Sequence, residues 1–152
     1  MSWLRSLMLL ALVVWVGGIA FLAFVEAPSA FQVLPDQHLA GLVVGRSLTI
    51  LHCMGIISAC IFLLSSITLN YLSNYQLRLF SASHVFVVLM LALTLLSQFC
   101  ITPRMREVRA GMDNSAARAE FDRLHKWSER TEGGVLFLGL VLVVLTARRN
   151  ST

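Results

Sequence analysis

"GGVLFLGLVLVVLTA", residues 133–147, is the stretch on which the fold turns. It carries no charge, yet at about 1.5 Å of rise per residue it is too short to cross a hydrocarbon layer about 30 Å thick. A helix containing it must begin upstream, within "KWSERTE" (126–132), and so bring charged residues to the mouth of a membrane span. Counted this way, it is a fourth crossing.

The other crossings are plainer. Leu7 to Val25 and Ser47 to Leu69 hold no charge, and Leu79 to Ile101 holds only His84. The expected spans are about 5–25, 40–69, 79–102 and 130–148. Composition points the same way: 152 residues, 57% hydrophobic and 13% charged, with a mean hydropathy of +0.78, are not the balance of a soluble globule. The fold class expected is all-α, a polytopic membrane protein with four transmembrane helices in an antiparallel bundle, forming a single domain over residues 1–152. Its first partner is the lipid bilayer. Arg5 and the apolar run that ends in "FLAFVEA" have the outline of a secretory signal, but the run is longer than such signals have, and it is read as a retained helix.

Between the first two spans, Pro28 and Pro35 each disfavour helix just before them. Asp36 is placed to cap a helix that starts at Gln37 and continues into the second span. Pro103 in "ITPRMREVR" is expected to end the third helix, and "GMDNS" offers Asp113, Asn114 or Ser115 as the next cap. From about 115 to 130, Ala117, Phe121, Leu124, His125 and Ser128 recur at helical spacing. This is an amphipathic helix in the third connection, with Phe121 and Leu124 as its buried contacts. Gly41 and Gly45 lie four apart on one face, where another helix can come close. Gly17, Gly18, Gly133 and Gly134 carry the same helix-packing expectation.

Four antiparallel spans put the first and third connections at one end. All eight acidic residues fall there, with eight of the 12 basic ones; Arg5, Arg78, Arg148 and Arg149 fall at the other. The excess of Lys and Arg places the polar end in the cytoplasm, in the plasma or inner membrane if the source is bacterial. The formal net charge of +4 does not indicate nucleic acid, because the basic residues are interleaved with acids and no binding motif accompanies them. Cys53, Cys60 and Cys100 all sit in apolar runs and imply no disulfide framework.

At the polar end, Thr94, Ser97, Gln98 and Thr102 form a stripe along the third span that should face protein. His52 enters from the second span close to Arg46, Glu26 closes the first span, and Arg104, His125 and Ser128 come from the third connection. A convergence of Glu26, Arg46, His52, Gln98, Arg104, His125 and Ser128 is the candidate binding site, because ionisable groups at membrane depth are costly unless paired or used. The plainer alternative makes Glu26 with Arg46 or Arg104 an ion pair, and His125 with Ser128 a lock on the loop helix.

Cofactors can be tested against spacing. His52 and His84 are the histidines inside spans, but they lie at opposite membrane faces, which excludes a haem held by both. "HCM" at His52, Cys53 and Met54, with Cys100, Met105 and His125 nearby, has the donor chemistry for copper(I). Neighbours on a helix point about 100° apart, so the three consecutive residues cannot converge on one ion. No cofactor is therefore expected, with haem and copper as the alternatives to test. Enzymatic motifs are lacking: there is no G-x-S-x-G elbow, no H-E-x-x-H helix and no phosphate-binding glycine loop.

Four stretches carry a family likeness: "WVGGIAFLAFVEAPSAF" from Trp15, "AGLVVGRSL" from Ala40, "ITPRMREVR" from Ile101 and "FDRLHKWSE" from Phe121. In that order and spacing they resemble the small four-span membrane proteins typified by transmembrane protein 205, described as a domain of unknown function. The resemblance implies a four-helix membrane fold and brings no catalytic residues. Trp15, Gly17, Gly18, Glu26, Gly41, Gly45, Pro103, Arg104, Phe121, His125 and Ser128 match its pattern. The chain departs from it after the serine, where it reads "ERTEGG" with Glu129 and Glu132. The expected function is binding or movement of a small solute or metal species at the polar end. The alternative is a structural or assembly subunit whose glycine faces dock a membrane-protein partner or a second copy.

Overall fold

Each apolar stretch becomes a helix longer than the lipid requires. The computed structural model describes residues 2–72, 82–111 and 115–150, with side chains over 3–72, 82–111 and 115–147. In chain order the elements are α1 (Ser2–Phe21), a π-turn (Leu22–Glu26), α2 (Ala27–Val33), α3 (Gln37–Leu72), α4 (Ala82–Leu96), a second π-turn (Ser97–Ile101), α5 (Thr102–Ala110) and α6 (Ser115–Asn150). All described elements are helical. Four continuous helical rods, Trp3–Val33, Gln37–Leu72, Ala82–Ala110 and Ser115–Ala147, are long and apolar enough to span a membrane.

The rods form a ring in which α1 packs on α3 and α6, and α4 packs on the same two neighbours. Apolar side chains fill its centre: Leu12, Trp15, Val16 and Ile19 from α1, Leu51, Ala59 and Phe62 from α3, Val87 and Met90 from α4, and Val135 and Leu142 from α6. Leu10, Phe24, Ile57, Leu64, Phe137 and Leu140 stay exposed on the outside, the distribution expected when the surrounding solvent is itself apolar.

Two sequence expectations about helix ends need correction. Pro28 and Pro103 do not stop their helices; each sits in the first turn of the short helix that continues beyond a π-turn. A proline inside an α-helix removes one hydrogen bond and drives its ring into the carbonyl four residues back. Here the preceding turn is widened: Ala27 N–H donates to Leu22 O and Thr102 N–H to Ser97 O, each five residues back. The wider turn makes room for the ring, and the helix runs on. Pro35 does mark a break, with Leu34 extended at φ −79° and ψ 138°. Asp36 then caps α3 as expected, its Oδ1 accepting from His38 N–H at 2.9 Å.

The loop helix and the fourth span are likewise one rod, α6, with no break between 130 and 133. Phe121 and Leu124 are half-buried on it, and the Arg109 guanidinium of α5 lies 5.0 Å above the Phe121 ring. Asp113 and Asn114, Arg78 and the start of the third span at 79–81 lie outside the described residues.

The glycines divide by face. A side chain at Gly18 would strike Leu51, one at Gly134 would press on Leu93, and one at Gly41 would meet the Arg109 guanidinium, while Gly17, Gly45 and Gly133 have open space beside them. Gly55 and Gly139, which the sequence reading did not single out, make helix contacts about as close as that of Gly18, against Trp15 and Val16.

Candidate functional site

The stripe on the third rod finds its partners on the second and fourth. His52 is 2% exposed and is held through both ring nitrogens: Nδ1 lies 2.8 Å from Gln98 Oε1 and Nε2 2.7 Å from Glu132 Oε1. The same Glu132 oxygen accepts a hydrogen bond from Ser97 Oγ at 2.9 Å. Three helical rods therefore meet in one polar network about a turn and a half inside the polar end of the second apolar stretch.

Local structure explains why two consecutive residues can serve it. In a regular α-helix Ser97 and Gln98 would point about 100° apart, but both belong to the second π-turn, and here one reaches Glu132 while the other reaches His52. The π-turn ends two residues before Pro103 and makes room for its ring. Pro103, two residues beyond that turn, thus bears on the orientation of two side chains of the network.

The network is not saturated. Glu132 Oε2 is buried and has no hydrogen-bond partner, although Oε1 of the same carboxyl has two. Thr94 of α4, one turn before Ser97 on the same rod, is 1% exposed, and its Oγ1 is likewise without a partner. Buried polar atoms are nearly always paired, and an unpaired carboxylate oxygen in an apolar surround is expensive. Ser128 and Thr131 are buried on α6 just before Glu132, with Thr131 Oγ1 donating back to Ser128 O at 2.8 Å.

Of the residues grouped by sequence, the structure brings His52 and Gln98 into contact and buries Ser128 one turn before Glu132. The others lie elsewhere. Glu26 lines an apolar groove of about 260 Å³ with Gly18, Leu22, Ser47, Leu51 and Met54, and it pairs with neither Arg46 nor Arg104. Arg46 is exposed on α3. Arg104 bonds Glu120 through Nε at 3.0 Å and Glu107 through Nη1 at 3.1 Å, tying α5 to α6. His125 is exposed, stacked on Phe121 with ring centroids 6.2 Å apart and 3.3 Å from Glu129. The separation is one of faces: Arg46 on α3, Arg104 on α5 and His125 on α6 all point outward, and Glu26 closes the first π-turn beside its groove.

Cys53 and Cys100 are exposed on the outer surface, and among the described residues no three His, Cys, Asp or Glu side chains are grouped as metal ligands. At the far end of the α3–α4 seam, His84 Nε2 lies 3.0 Å from Ser66 Oγ, about 20 Å along α3 from His52. The two histidines are as far apart as the spacing indicated.

Glu132 is the residue that sequence reading left out of the site. The signal was there: if α6 is read through without a break, Glu132 falls four residues after Ser128 and seven after His125, on one helical face. Taking 130 as a boundary between a loop helix and a span hid that register.

No curated protein and no solved structure matches the chain. A family model does match, over residues 10–114, a stretch that holds His52, Ser97, Gln98 and both proline-linked π-turns. That is well over half of the sequence, and the protein accordingly belongs to the family described as a domain of unknown function (DUF4149).

Proposed function

We propose that this protein binds a small cationic solute within the membrane, at the network of His52, Glu132, Ser97, Gln98 and Thr94, and acts by passing or sensing it there. The observation that carries the reading is the buried, unpartnered Glu132 Oε2. Such an atom is destabilising in an empty bundle and becomes favourable once a cation or a strong donor meets it. Thr94 Oγ1 supplies a second free acceptor one turn away. Arg104 with Glu120, braced by Glu107, is assigned to fastening α5 on α6, and His125 to contacts within α6. The surplus of Lys and Arg in the connections supports a cytoplasmic polar end, and the four matching stretches support a place in the transmembrane protein 205-like group.

The test is unfolding of the purified protein in mild detergent with sodium, potassium, ammonium or copper(I) added singly. A bound solute at a hundred times its Kd stabilises by about 2.7 kcal/mol, which for a chain of this size is a rise in Tm of roughly 5–10 °C. We expect such a rise for at least one monovalent cation, and its loss in Glu132→Gln. If none of the four stabilises the protein, or Glu132→Gln responds as the parent does, the proposal fails.

A second reading has its own support. Gly17 and Gly133 are exposed, with empty space where a side chain would be, so another membrane helix could approach there. On that reading the protein is an assembly subunit. Gly17→Leu with Gly133→Leu would then release a copurifying partner and leave the cation-induced rise in Tm unchanged.

A further inference from the structure

Glu26 and Arg46 carry opposite charges at the polar end, and neither makes a hydrogen bond or ion pair with a described residue. Each stands at the edge of an uncharged stretch: the run from Leu7 to Val25 ends at Glu26, and the run from Ser47 to Leu69 begins just after Arg46. The two antiparallel rods meet the polar end at these points, so both side chains mark the depth at which hydrocarbon gives way to headgroups. Charges at that depth are costly unless they are paired or used.

The apolar groove lies between them. Its first wall holds Gly18, Leu22 and Glu26, and its second holds Ser47, Ile50 and Met54 of α3. Arg46 belongs with the second wall, because Arg46, Ile50 and Met54 recur every four residues and share one face of α3. Gly18 brings the walls together at the base, where Leu51 occupies the space of its missing side chain. Ile50 and Met54 are exposed, as is Phe21 beside them, so the groove opens outward onto lipid. From Gly18 to Glu26 it follows the rod for about 12 Å. At about 260 Å³ it is smaller than the roughly 300–1,000 Å³ of sites that enclose a whole small molecule. It has the size to seat part of one chain, with the head left outside among the charges.

An occupant must therefore combine an apolar chain, a cation for Glu26 and an anion for Arg46. A guanidinium takes a phosphate through paired N–H donors, and a primary ammonium has three hydrogens to give a carboxylate. The quaternary ammonium of choline has none and is held by aromatic cages, whereas Phe21 is the one aromatic side chain lining this groove. A headgroup that is anionic only would satisfy Arg46 and be repelled by Glu26.

We infer that the groove between the first rod and α3 holds one phosphatidylethanolamine molecule. An acyl chain lies between the walls, the ammonium meets Glu26 and the phosphate meets Arg46. This lipid site is distinct from the His52 network and does not depend on the cation reading. It gives a use to two charges that stand apart from that network.

The experiment is native mass spectrometry of the full chain in mild detergent, incubated with phosphatidylethanolamine, phosphatidylcholine or phosphatidylglycerol of the same acyl chains at equal concentration. We expect one phosphatidylethanolamine to be retained about fivefold better than either of the others, the ratio that one charged contact near a membrane surface provides. Glu26→Gln should abolish the preference over phosphatidylcholine, and Arg46→Gln should weaken retention of both. Glu26→Lys makes both walls cationic and should turn the preference to phosphatidylglycerol. Ile50→Trp fills the groove from an exposed position and should end retention, with a Tm matching the parent's as the sign that it has folded. Should that variant unfold, the direction of preference in Glu26→Lys decides. Equal retention of the three lipids by the parent, an unchanged preference in Glu26→Gln or Glu26→Lys, or full retention in folded Ile50→Trp overturns the inference. So does a dimer that carries no lipid, since a second copy would then occupy the groove.

Discussion

His52 illustrates how one buried side chain is constrained when lipid is the outer solvent. Both its nitrogens are bonded, and neither partner can be deleted cheaply: breaking a buried pair strands the surviving charge, at about 3–5 kcal/mol, whereas replacing both partners with apolar groups is often neutral. His52→Leu and Glu132→Leu are each expected to destabilise by about that amount, and the double variant to recover most of it, by unfolding in detergent. Losses that simply add would show that the two side chains are not coupled. Recovery would separate stability from function, since the repaired bundle should no longer respond to cations.

At the scale of elements, the two prolines act alike. "LAFVEAP" (22–28) and "SQFCITP" (97–103) both make a five-residue π-turn that ends two residues before the proline. The first frames the groove beside Glu26, and the second aims Ser97 and Gln98. Pro103→Ala restores the missing donor and lets that turn relax to α geometry. The variant should unfold no more easily than the parent, and the cation-induced rise in Tm should shrink or vanish because Ser97 and Gln98 have rotated. An undiminished response would mean that the π-turn does not aim the site. Helix contacts follow the same positional logic. Gly55→Ala pushes a methyl group into the Trp15 indole and should cost about 1–3 kcal/mol. Gly45→Ala enters open space and should be neutral or gain up to about 1 kcal/mol of helix propensity. Paired unfolding curves check both.

For the whole molecule, the ring of four rods sets which groups share a membrane face. Asp122 lies on α6 at the polar end and Arg5 on α1 at the other, both exposed. In a background with Cys53, Cys60 and Cys100 changed to alanine, Asp122→Cys and Arg5→Cys should react with an impermeant thiol reagent from opposite sides of the membrane. Reaction from the same side would give an even number of crossings between them, against the three that the first three rods provide. If the polar end is cytoplasmic, as proposed, Asp122→Cys should be the one that reacts from the cytoplasmic side.

How much of this was legible in the chain depends on range. Four crossings, the capping of α3 by Asp36 and the gathering of charge at one end follow from local composition and periodicity, because lipid demands long apolar helices and excludes charge wherever it can. The polar stripe from Thr94 to Gln98 was readable for the same reason, since a 3.6-residue period assigns it to one face. Its partners were not. Whether His52 meets Glu132 or Arg46 depends on the rotation of three separate rods, which is set by contacts such as Trp15 on Gly55 and Val16 on Gly139, between residues far apart in sequence. The prolines were misjudged because their usual effect as breakers assumes a regular turn ahead of them, and the packed bundle holds a wider one. Sequence therefore determined the membrane fold and the end at which polar groups collect. Tertiary structure alone decided that an unpartnered carboxylate oxygen would be buried there, because only the packing of complete helices removes water from a particular atom.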